Sequence, residues 1–242
     1  MKVAAVLACR VQSSRLYAKP LQRIGNKTIL EHQLDQLESL KRVDHIVLAI
    51  SEGLENEPFK EIARQRGHSV VVGDQIDVLG RLIQGAQHVN AETILRTTTE
   101  DPFVYVDGFD EVLTTHHEGG YDISGMMHLP DGAGFELIQR EALERSHREG
   151  MAKHRSELCS LYIWEHLDKF KMRKVMPPPA LRRSDIRLTV DYPEDLMVMR
   201  KIYEAFDGKM PIPIGEIIKF LDANPSIRAI NKDVDRGLRL WD

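Results

Sequence analysis

The chain has 242 residues, of which 42% are hydrophobic and 29% are charged. This length allows one large domain, or one domain with a small lobe, around a substantial hydrophobic core. The net charge of -4 and the pI near 6.2 argue against non-specific binding of nucleic acid, so a basic cluster is expected to be a local site.

The first part of the chain alternates strand and helix patterns. The apolar run at 3–9 is typical of a buried parallel strand, residues 29–40 have helical periodicity, and the apolar run at 43–50 predicts a second strand. The alternation continues with a helix at 55–66, a strand at 69–72, a helix at 77–89 and a strand at 93–96. Such alternation predicts an α/β fold with a mostly parallel sheet and helices on both faces.

After residue 107 the alternation is looser. We predict helices at 107–117, 139–149, 156–167, 193–206 and 212–223, and strands at 121–124, 135–138, 170–175 and 186–191, with a linker or sheet edge at the triple proline 177–179. We divide the chain into a main domain at 1–206, in which 125–180 form a smaller lobe, and a C-terminal helical arm at 207–242.

The loop that follows the first predicted strand is cationic. Arg10, Arg15 and Lys19 lie within ten residues, together with Ser13 and Ser14. In open α/β sheets, ligands bind outside the carboxyl ends of the strands. Three positive charges, two hydroxyl groups and exposed main-chain N–H groups suit a polyanion such as a nucleoside triphosphate. The alternative is a solvated basic loop without a ligand.

Acidic residues follow two other predicted strands. Glu100 and Asp101 come after the strand at 93–96, and Asp191 ends the strand at 186–191. Because Mg²⁺ takes one or two carboxylates and completes its shell with water and substrate phosphates, these acids are candidate metal ligands. The alternative for Asp191 is to cap the helix that begins near residue 193.

Several common sites have no support in the sequence. The ten histidines lack metal-binding spacing, and neither a phosphate-loop, nor a dinucleotide-binding, nor a G-x-S-x-G motif occurs. The two cysteines form no disulfide framework, and we find neither an apolar run of 18 residues nor a signal-peptide pattern. We therefore expect a cytoplasmic protein that binds neither membranes nor nucleic acid.

Six segments in order resemble the cytidylyltransferases that activate acidic sugars for bacterial surface polysaccharides. This group contains the CMP-KDO and CMP-acylneuraminate synthetases, and the similarity is greatest to the spore-coat-polysaccharide type. The matching segments are 9–21 (CRVQSSRLYAKPL), 24–32 (IGNKTILEH), 77–81 (DVLGR), 96–102 (RTTTEDP), 130–136 (PDGAGFE) and 187–196 (RLTVDYPEDL). Departures from the family pattern occur at Gln12, Tyr17, the pair Thr99 and Glu100, and Gly134.

The resemblance implies a Rossmann-like nucleotidyltransferase fold, Mg²⁺ as cofactor, and attack of an acceptor oxygen on the α-phosphorus of a nucleoside triphosphate. Arg10 and Lys19 would be catalytic, Glu100 or Asp101 would share the metal with Asp191, and Asp131 and Glu136 would face a sugar-like acceptor. The residues that the resemblance implies for nucleotide binding are Arg10, Ser13, Ser14, Arg15, Lys19, Arg81 and Thr98.

The leading function is therefore transfer of CMP from CTP to a sugar acid or related acceptor in surface polysaccharide synthesis. The alternatives are a guanylyl- or other nucleotidyltransferase acting on an amino-sugar phosphate or phosphonate, a glycosyltransferase, and an inactive nucleotide-binding subunit. The nearest match to the D-x-D motif of glycosyltransferases is Asp233 to Asp235.

We also expect a homodimer, because the segment 125–180 contains apolar residues that look exposed. They are Met126, Met127, Leu161, Tyr162 and Trp164. The alternative is that these side chains pack within one subunit.

Overall fold

The structure, a computed structural model, describes residues 1–241. Its strands are β1 Val3–Cys9, β2 Arg23–Ile24, β3 Lys27–Thr28, β4 His45–Ser51, β5 Ser69–Gly73, β6 Thr93–Arg96, β7 Ile123–Met126, β8 Glu136–Gln139 and β9 Met172–Val175. Its helices are α1 Ile29–Glu38, α2 Glu57–Arg66, α3 Val78–His88, α4 Phe109–Glu118, α5 Arg140–Glu149, α6 Leu161–Glu165, α7 Pro193–Ala205, α8 Ile214–Ala223 and α9 Pro225–Arg228.

Seven of the strands form one sheet in the order β5-β4-β1-β6-β8-β7-β9. Every neighbouring pair is parallel except the two that involve β8, which runs antiparallel to β6 and β7. The chain first extends the sheet from β1 to β4 and β5, and then returns to the other side of β1 with β6. The order therefore reverses between β1 and β6, and a ligand cleft is expected outside their carboxyl ends.

Helices cover both faces of this sheet, as predicted. Ala5 and Leu7 of β1 pack in one cluster with residues of α1, α7 and α8. Ala4 and Val6, which point to the opposite face, pack in a second cluster with residues of α3 and α5. The mostly parallel α/β fold is thus confirmed, since successive side chains of a strand alternate between the two apolar layers.

Two predicted elements are wrong. Residues 186–191 form no strand, although the apolar residues Ile186, Leu188 and Val190 are buried. The main-chain N–H groups of Leu188 and Val190 bond instead to the carbonyls of Asp131 (2.7 Å) and Glu100 (3.1 Å), which belong to two different loops. This extended segment therefore joins two loops instead of extending the sheet.

The predicted helix at 156–167 shrinks to the five residues of α6. The residues just before it are held by side chains of the sheet instead of by helical bonds. Arg96 donates to the carbonyl of Glu157 at 2.7 Å, and Ser160 donates to the Glu136 carboxylate at 2.6 Å. These bonds fix an irregular segment over the end of β6 and β8.

The apolar residues expected to lie at a dimer surface are largely packed inside one subunit. Met126, Met127 and Tyr162 are buried, and Leu161 and Trp164 are half-buried. The argument from exposed apolar residues was therefore wrong. The homodimer itself stays a prediction, which light scattering can test against the single-chain mass of 27.7 kDa.

Within residues 1–241, no helix has both the length and the apolar character needed to cross a bilayer.

Candidate active site

Two cavities open at the carboxyl ends of β1 and β6, where the sheet order reverses. The larger has a volume of about 320 Å³ and the smaller about 60 Å³. Both are lined by Arg96, Thr98, Glu100 and Glu157, so one polar wall separates them. The smaller cavity is further lined by Arg10, Lys19 and Arg81, whereas Asp131, Glu136 and the C-terminal residues 236–241 line the larger one.

The loop after β1 folds back on itself before it delivers Lys19. The N–H of Ala18 bonds to the carbonyl of Val11 at 2.8 Å, and Ala18 adopts a left-handed conformation with φ 51°. The N–H of Val11 is fixed by the buried amide oxygen of Asn56 at 2.9 Å. The closed loop directs Lys19 inward, and only 8% of this residue is exposed.

Lys19 joins acids from two separate segments. Its Nζ donates to Asp191 Oδ1 at 2.7 Å and to Glu100 Oε1 at 3.4 Å. Burial works to lower the pKa of Lys19, but the charges of Glu100 and Asp191 outweigh burial and raise it. Because both carboxylates contact one ammonium nitrogen, the structure brings Glu100 and Asp191 together, and Lys19 stays charged between them.

Asp191 receives three cations. Besides Lys19, the Arg15 guanidinium lies 2.8 Å from Oδ1 and the Arg187 guanidinium 2.7 Å from Oδ2. Burial works to raise the pKa of Asp191, but these cations, Lys19 first, outweigh burial and lower it. The carboxylate is therefore ionised and held at a fixed place.

The capping role weighed for Asp191 belongs to Asp195. Helix α7 begins after Tyr192, and the Asp195 carboxylate accepts from the N–H groups of Asp191 (2.9 Å) and Tyr192 (3.0 Å). Asp195 is fully buried and also pairs with Arg187 at 2.9 Å. The alternative that Asp191 caps this helix is therefore wrong.

Glu100 and Asp101 have different surroundings. Glu100 lines both cavities, and one of its oxygens contacts Lys19. Asp101 is 4% exposed and accepts a hydrogen bond from the Thr98 hydroxyl within its own turn. Burial, followed by the charge of Glu100, raises the pKa of Asp101 well above its ordinary value.

The remaining residues of the predicted nucleotide site are placed as follows. Arg10 pairs with Glu157 at 3.0 Å, and the Ser13 hydroxyl accepts from the N–H groups of Arg15 and Leu16, while Ser14 is exposed. Arg81 is buried and donates to the carbonyls of Cys9 (3.1 Å) and Ala49 (2.9 Å), which ties the ends of β1 and β4 together.

The two predicted acceptor residues differ in their partners. Asp131 lines the large cavity and accepts from Arg187 at 2.8 Å. Glu136 is 4% exposed, and its carboxylate accepts from Arg96 (2.7 Å), Ser160 (2.6 Å) and Trp241 Nε1 (2.7 Å). Three donors thus hold the side chain of Glu136 in place.

The sequence analysis named neither Arg187 nor the C-terminal residues as parts of the site. The alternation of buried residues at 186, 188 and 190 places Arg187 and Asp191 on the same side of the segment, and this pattern could have revealed the pair. The C-terminal segment carries no such pattern. Asp233 and Asp235, the candidate glycosyltransferase motif, are exposed and outside the lining of the large cavity.

Two relatives align over nearly the whole chain. The protein MJ1063 of Methanocaldococcus jannaschii is 30% identical over 234 residues, which cover 97% of this chain and 96% of the relative. The spore coat polysaccharide biosynthesis protein SpsF of Bacillus subtilis is 24% identical over 225 residues, which cover 91% and 94%.

Solved structures have the same fold. A cytidylyltransferase from Leptospira borgpetersenii superimposes with a TM-score of 0.85 over 100% of both chains at 22% identity. A CMP:2-keto-3-deoxy-manno-octonic acid synthetase complexed with CTP has a TM-score of 0.66 at 14% identity, covering 85% of this chain and 100% of that one.

The family model described as cytidylyltransferase matches residues 4–212, which include every site residue described above except the C-terminal segment. This match confirms the predicted class of enzyme, a nucleotidyltransferase, and gives no support to the glycosyltransferase alternative. This chain belongs to the cytidylyltransferase family.

Proposed function

We propose that this protein transfers CMP from CTP to an oxygen of a sugar acid and releases pyrophosphate, in the synthesis of a surface polysaccharide. The observation that carries the proposal is the buried Lys19 ammonium, which joins Glu100 and Asp191 where the sheet order reverses. The names of two similar proteins agree with it. SpsF is a spore coat polysaccharide biosynthesis protein, and the octonic acid synthetase was solved with CTP.

The cations of the β1 loop would bind the triphosphate. The loop that follows β1 contains Arg10, Arg15 and Lys19. Guanidinium and ammonium groups form strong hydrogen bonds with phosphate oxygens. Phosphoryl transfer builds charge on the phosphate oxygens, so catalysis depends mainly on positioning and electrostatic stabilisation. Donors that are already fixed before the reaction contribute most, and Lys19 is the most buried of the three.

Glu100 and Asp191 fit a divalent cation. Glu100 Oε1 and Asp191 Oδ1 both face the Lys19 Nζ, so their oxygens lie close together. Mg²⁺ in phosphate sites is bound by one or two carboxylates together with substrate phosphates. Within the part of the chain that the structure describes, no group of three metal-binding side chains occurs, so a cation here would take its remaining ligands from water and substrate. When bound, Mg²⁺ would neutralise charge on the phosphates.

We infer that Glu100, rather than Asp101, is the first metal ligand. Asp101 is held within its turn by Thr98, and its raised pKa disfavours the ionised form that a metal needs. Glu100 lines both cavities beside Lys19. The acceptor would occupy the large cavity, where Asp131 can accept hydrogen bonds from sugar hydroxyl groups.

Pyrophosphate release with CTP, GTP, ATP and UTP, each with Mg²⁺, tests this function. The acceptor panel contains 3-deoxy-manno-octulosonate, N-acetylneuraminate, glucosamine 1-phosphate and 2-aminoethylphosphonate. We expect release only with CTP and only in the presence of a sugar acid. Release with GTP and an amino-sugar phosphate or the phosphonate would support the alternative acceptor class, and no release with CTP and any acceptor would contradict the proposal.

A further inference from the structure

The chain crosses the large cavity a last time just before its end. Residues 232–241, which we name the C-terminal strap, contain neither helix nor strand. Asn231, directly before the strap, donates to the buried Asp195 at 2.9 Å. At the other end, Trp241 Nε1 donates to Glu136 at 2.7 Å, and the Trp241 carbonyl accepts from the N–H of His128 at 3.0 Å. The strap is thus fastened on both sides of the cavity.

The ring of Trp241 is part of this fastening. It packs edge-on against Trp164, with ring centroids 4.8 Å apart. It also lies directly over Gly125 of β7, where a Cβ atom would approach the ring to 2.4 Å. The absence of a side chain at Gly125 therefore leaves the space that the Trp241 ring occupies.

Two arginines of the strap converge in the wall of the large cavity. Arg236 and Arg239 both line it, and both donate to the same carbonyl oxygen, that of Ser184, at 2.9 Å and 3.1 Å. A second nitrogen of Arg236 donates to the carbonyl of Asp185 at 3.0 Å. Main-chain carbonyls orient a guanidinium but carry no formal charge, so these bonds leave the positive charge of Arg236 in place.

Three further arginines of the large cavity pair with carboxylates. Arg15 pairs with Asp191, Arg96 with Glu136, and Arg187 with three acids. Among residues 1–241, no carboxylate lies within 4.0 Å of the Arg236 guanidinium. Burial raises the pKa of Asp131, against the charges of Arg187, Arg239 and Arg236, and the Asp131 carboxylate accepts its hydrogen bond from Arg187.

We propose that Arg236 binds an anionic group of the acceptor, a carboxylate or a phosphate. This inference rests on the proposed function, because it places the acceptor in the large cavity. Among residues 1–241 Arg236 has no carboxylate partner, and an anionic group would supply one. The planar fork of a guanidinium also matches the two oxygens of a carboxylate or phosphate. A neutral sugar would leave this charge without a counterion.

Glu136 then positions the strap. Its carboxylate already accepts from Arg96, Ser160 and Trp241, so its oxygens hold the strap over the cavity. The acidic group that the resemblance placed on the acceptor side thereby acts through Trp241, and Arg236 contacts the acceptor.

Simple anions can test the strap without knowledge of the acceptor. Malonate, as a carboxylate probe, and inorganic phosphate are titrated calorimetrically into the protein saturated with CTP and Mg²⁺, so that the triphosphate site is full. We expect one of the two anions to bind with an affinity in the millimolar range and to change the fluorescence of Trp164 and Trp241. Stronger binding of malonate would indicate a sugar acid, and stronger binding of phosphate a phosphorylated acceptor.

The variant Arg236→Gln should weaken that binding at least tenfold and leave the Kd of CTP within twofold. Arg236→Lys, which keeps the charge but loses the fork, should have an intermediate affinity, and Arg64→Gln on the exposed face of α2 serves as the control for loss of one charge. Unchanged anion binding in Arg236→Gln, or no binding of either anion to the unmodified protein, overturns the inference. CTP binding without anion binding refutes only the strap site, whereas failure of CTP to bind refutes the proposed function.

Discussion

The β1 loop, residues 10–21, and the C-terminal strap, residues 232–241, both place cations at the two cavities, but they hold them in different ways. In the loop, Arg15 and Lys19 form ion pairs with Asp191, and Arg10 pairs with Glu157. In the strap, the described bonds of Arg236 go to main-chain carbonyls. Acids therefore hold the loop cations at the place where we propose that the metal and the phosphates bind. These carbonyls leave the charge of Arg236 in place for the anion that we propose.

The largest effect is expected at Lys19. Lys19→Ala removes the only one of the three loop cations that is buried and leaves Glu100 and Asp191 without the charge between them. We expect CTP turnover to fall on the order of 10²–10³-fold, as for other preorganised donors. Pyrophosphate release measures it, and Lys60→Ala on the surface of α2 is the matched control. Turnover within threefold of the unmodified protein would break the assignment of the loop to the triphosphate.

A loss of stability of the whole fold at low pH would lower binding at both segments, so it must be measured separately. His116 is fully buried, Nδ1 lies 2.8 Å from the Ser124 hydroxyl, and Nε2 faces the Gln139 amide at 3.0 Å. Burial, followed by the charges of His117 and Arg173, lowers the pKa of His116 to about 4 from 6.5. The unfolded chain therefore binds more protons between these two values.

From this shift we expect stability to be full above pH 6.5 and to fall as the pH drops towards 4, by on the order of 3 kcal/mol. Urea unfolding at pH 7.5, 6, 5 and 4.5 measures the slope, and His116→Gln should flatten it. If the slope between pH 6.5 and 4.5 is the same in His116→Gln, the dependence arises elsewhere, and activity profiles in this range report on other groups.

Asp191 and Asp195 offer a matched pair within one segment. Asp191→Asn should lower turnover about 10²-fold and raise the Mg²⁺ concentration needed, because a charged ligand is lost while the fold is kept. Asp195→Asn should instead lower the Tm, since Asp195 is fully buried against Arg187 and holds the start of α7. Full activity with unaltered Mg²⁺ dependence in Asp191→Asn would remove it from the metal site.

The smallest effect is expected at the end of the strap. Trp241→Phe keeps an aromatic ring over Gly125 but loses the hydrogen bond to Glu136, a charged acceptor. We expect weaker anion or acceptor binding by about tenfold, which corresponds to about 1.4 kcal/mol, with CTP binding unchanged. Trp164→Phe is the control, because the Trp164 Nε1 has no hydrogen-bond partner among the described residues. Equal effects in both variants would show that ring packing, and not this bond, holds the strap.

The same two regions show what the sequence could predict. The apolar run of β1 placed Arg10, Arg15 and Lys19 at a strand end, because a buried parallel strand delivers its next residues to the ligand-binding edge. Asp191 was predicted at this edge for a reason that was partly wrong, since its segment bonds to two loops and joins no sheet.

Other features depend on contacts that no local pattern contains. Glu100 and Asp101 are neighbours in the sequence, and only the turn with Thr98 decides which one faces Lys19. The strap meets Glu136 across 105 positions of the chain, and its residues have neither a periodic pattern nor a match to the family segments. In the sequence, its arginines are typical of a polar C-terminal segment, and only the fold shows that they line the large cavity.

Calorimetric titration of CTP with Mg²⁺ tests the central claim most directly, namely that the nucleotide binds at the carboxyl ends of β1 and β6. We expect a single site in the unmodified protein, affinity at least tenfold weaker in Lys19→Ala, and affinity within twofold in Arg236→Gln. Equal affinities in Lys19→Ala and the unmodified protein, or a greater loss in Arg236→Gln than in Lys19→Ala, would place the nucleotide elsewhere and contradict the account.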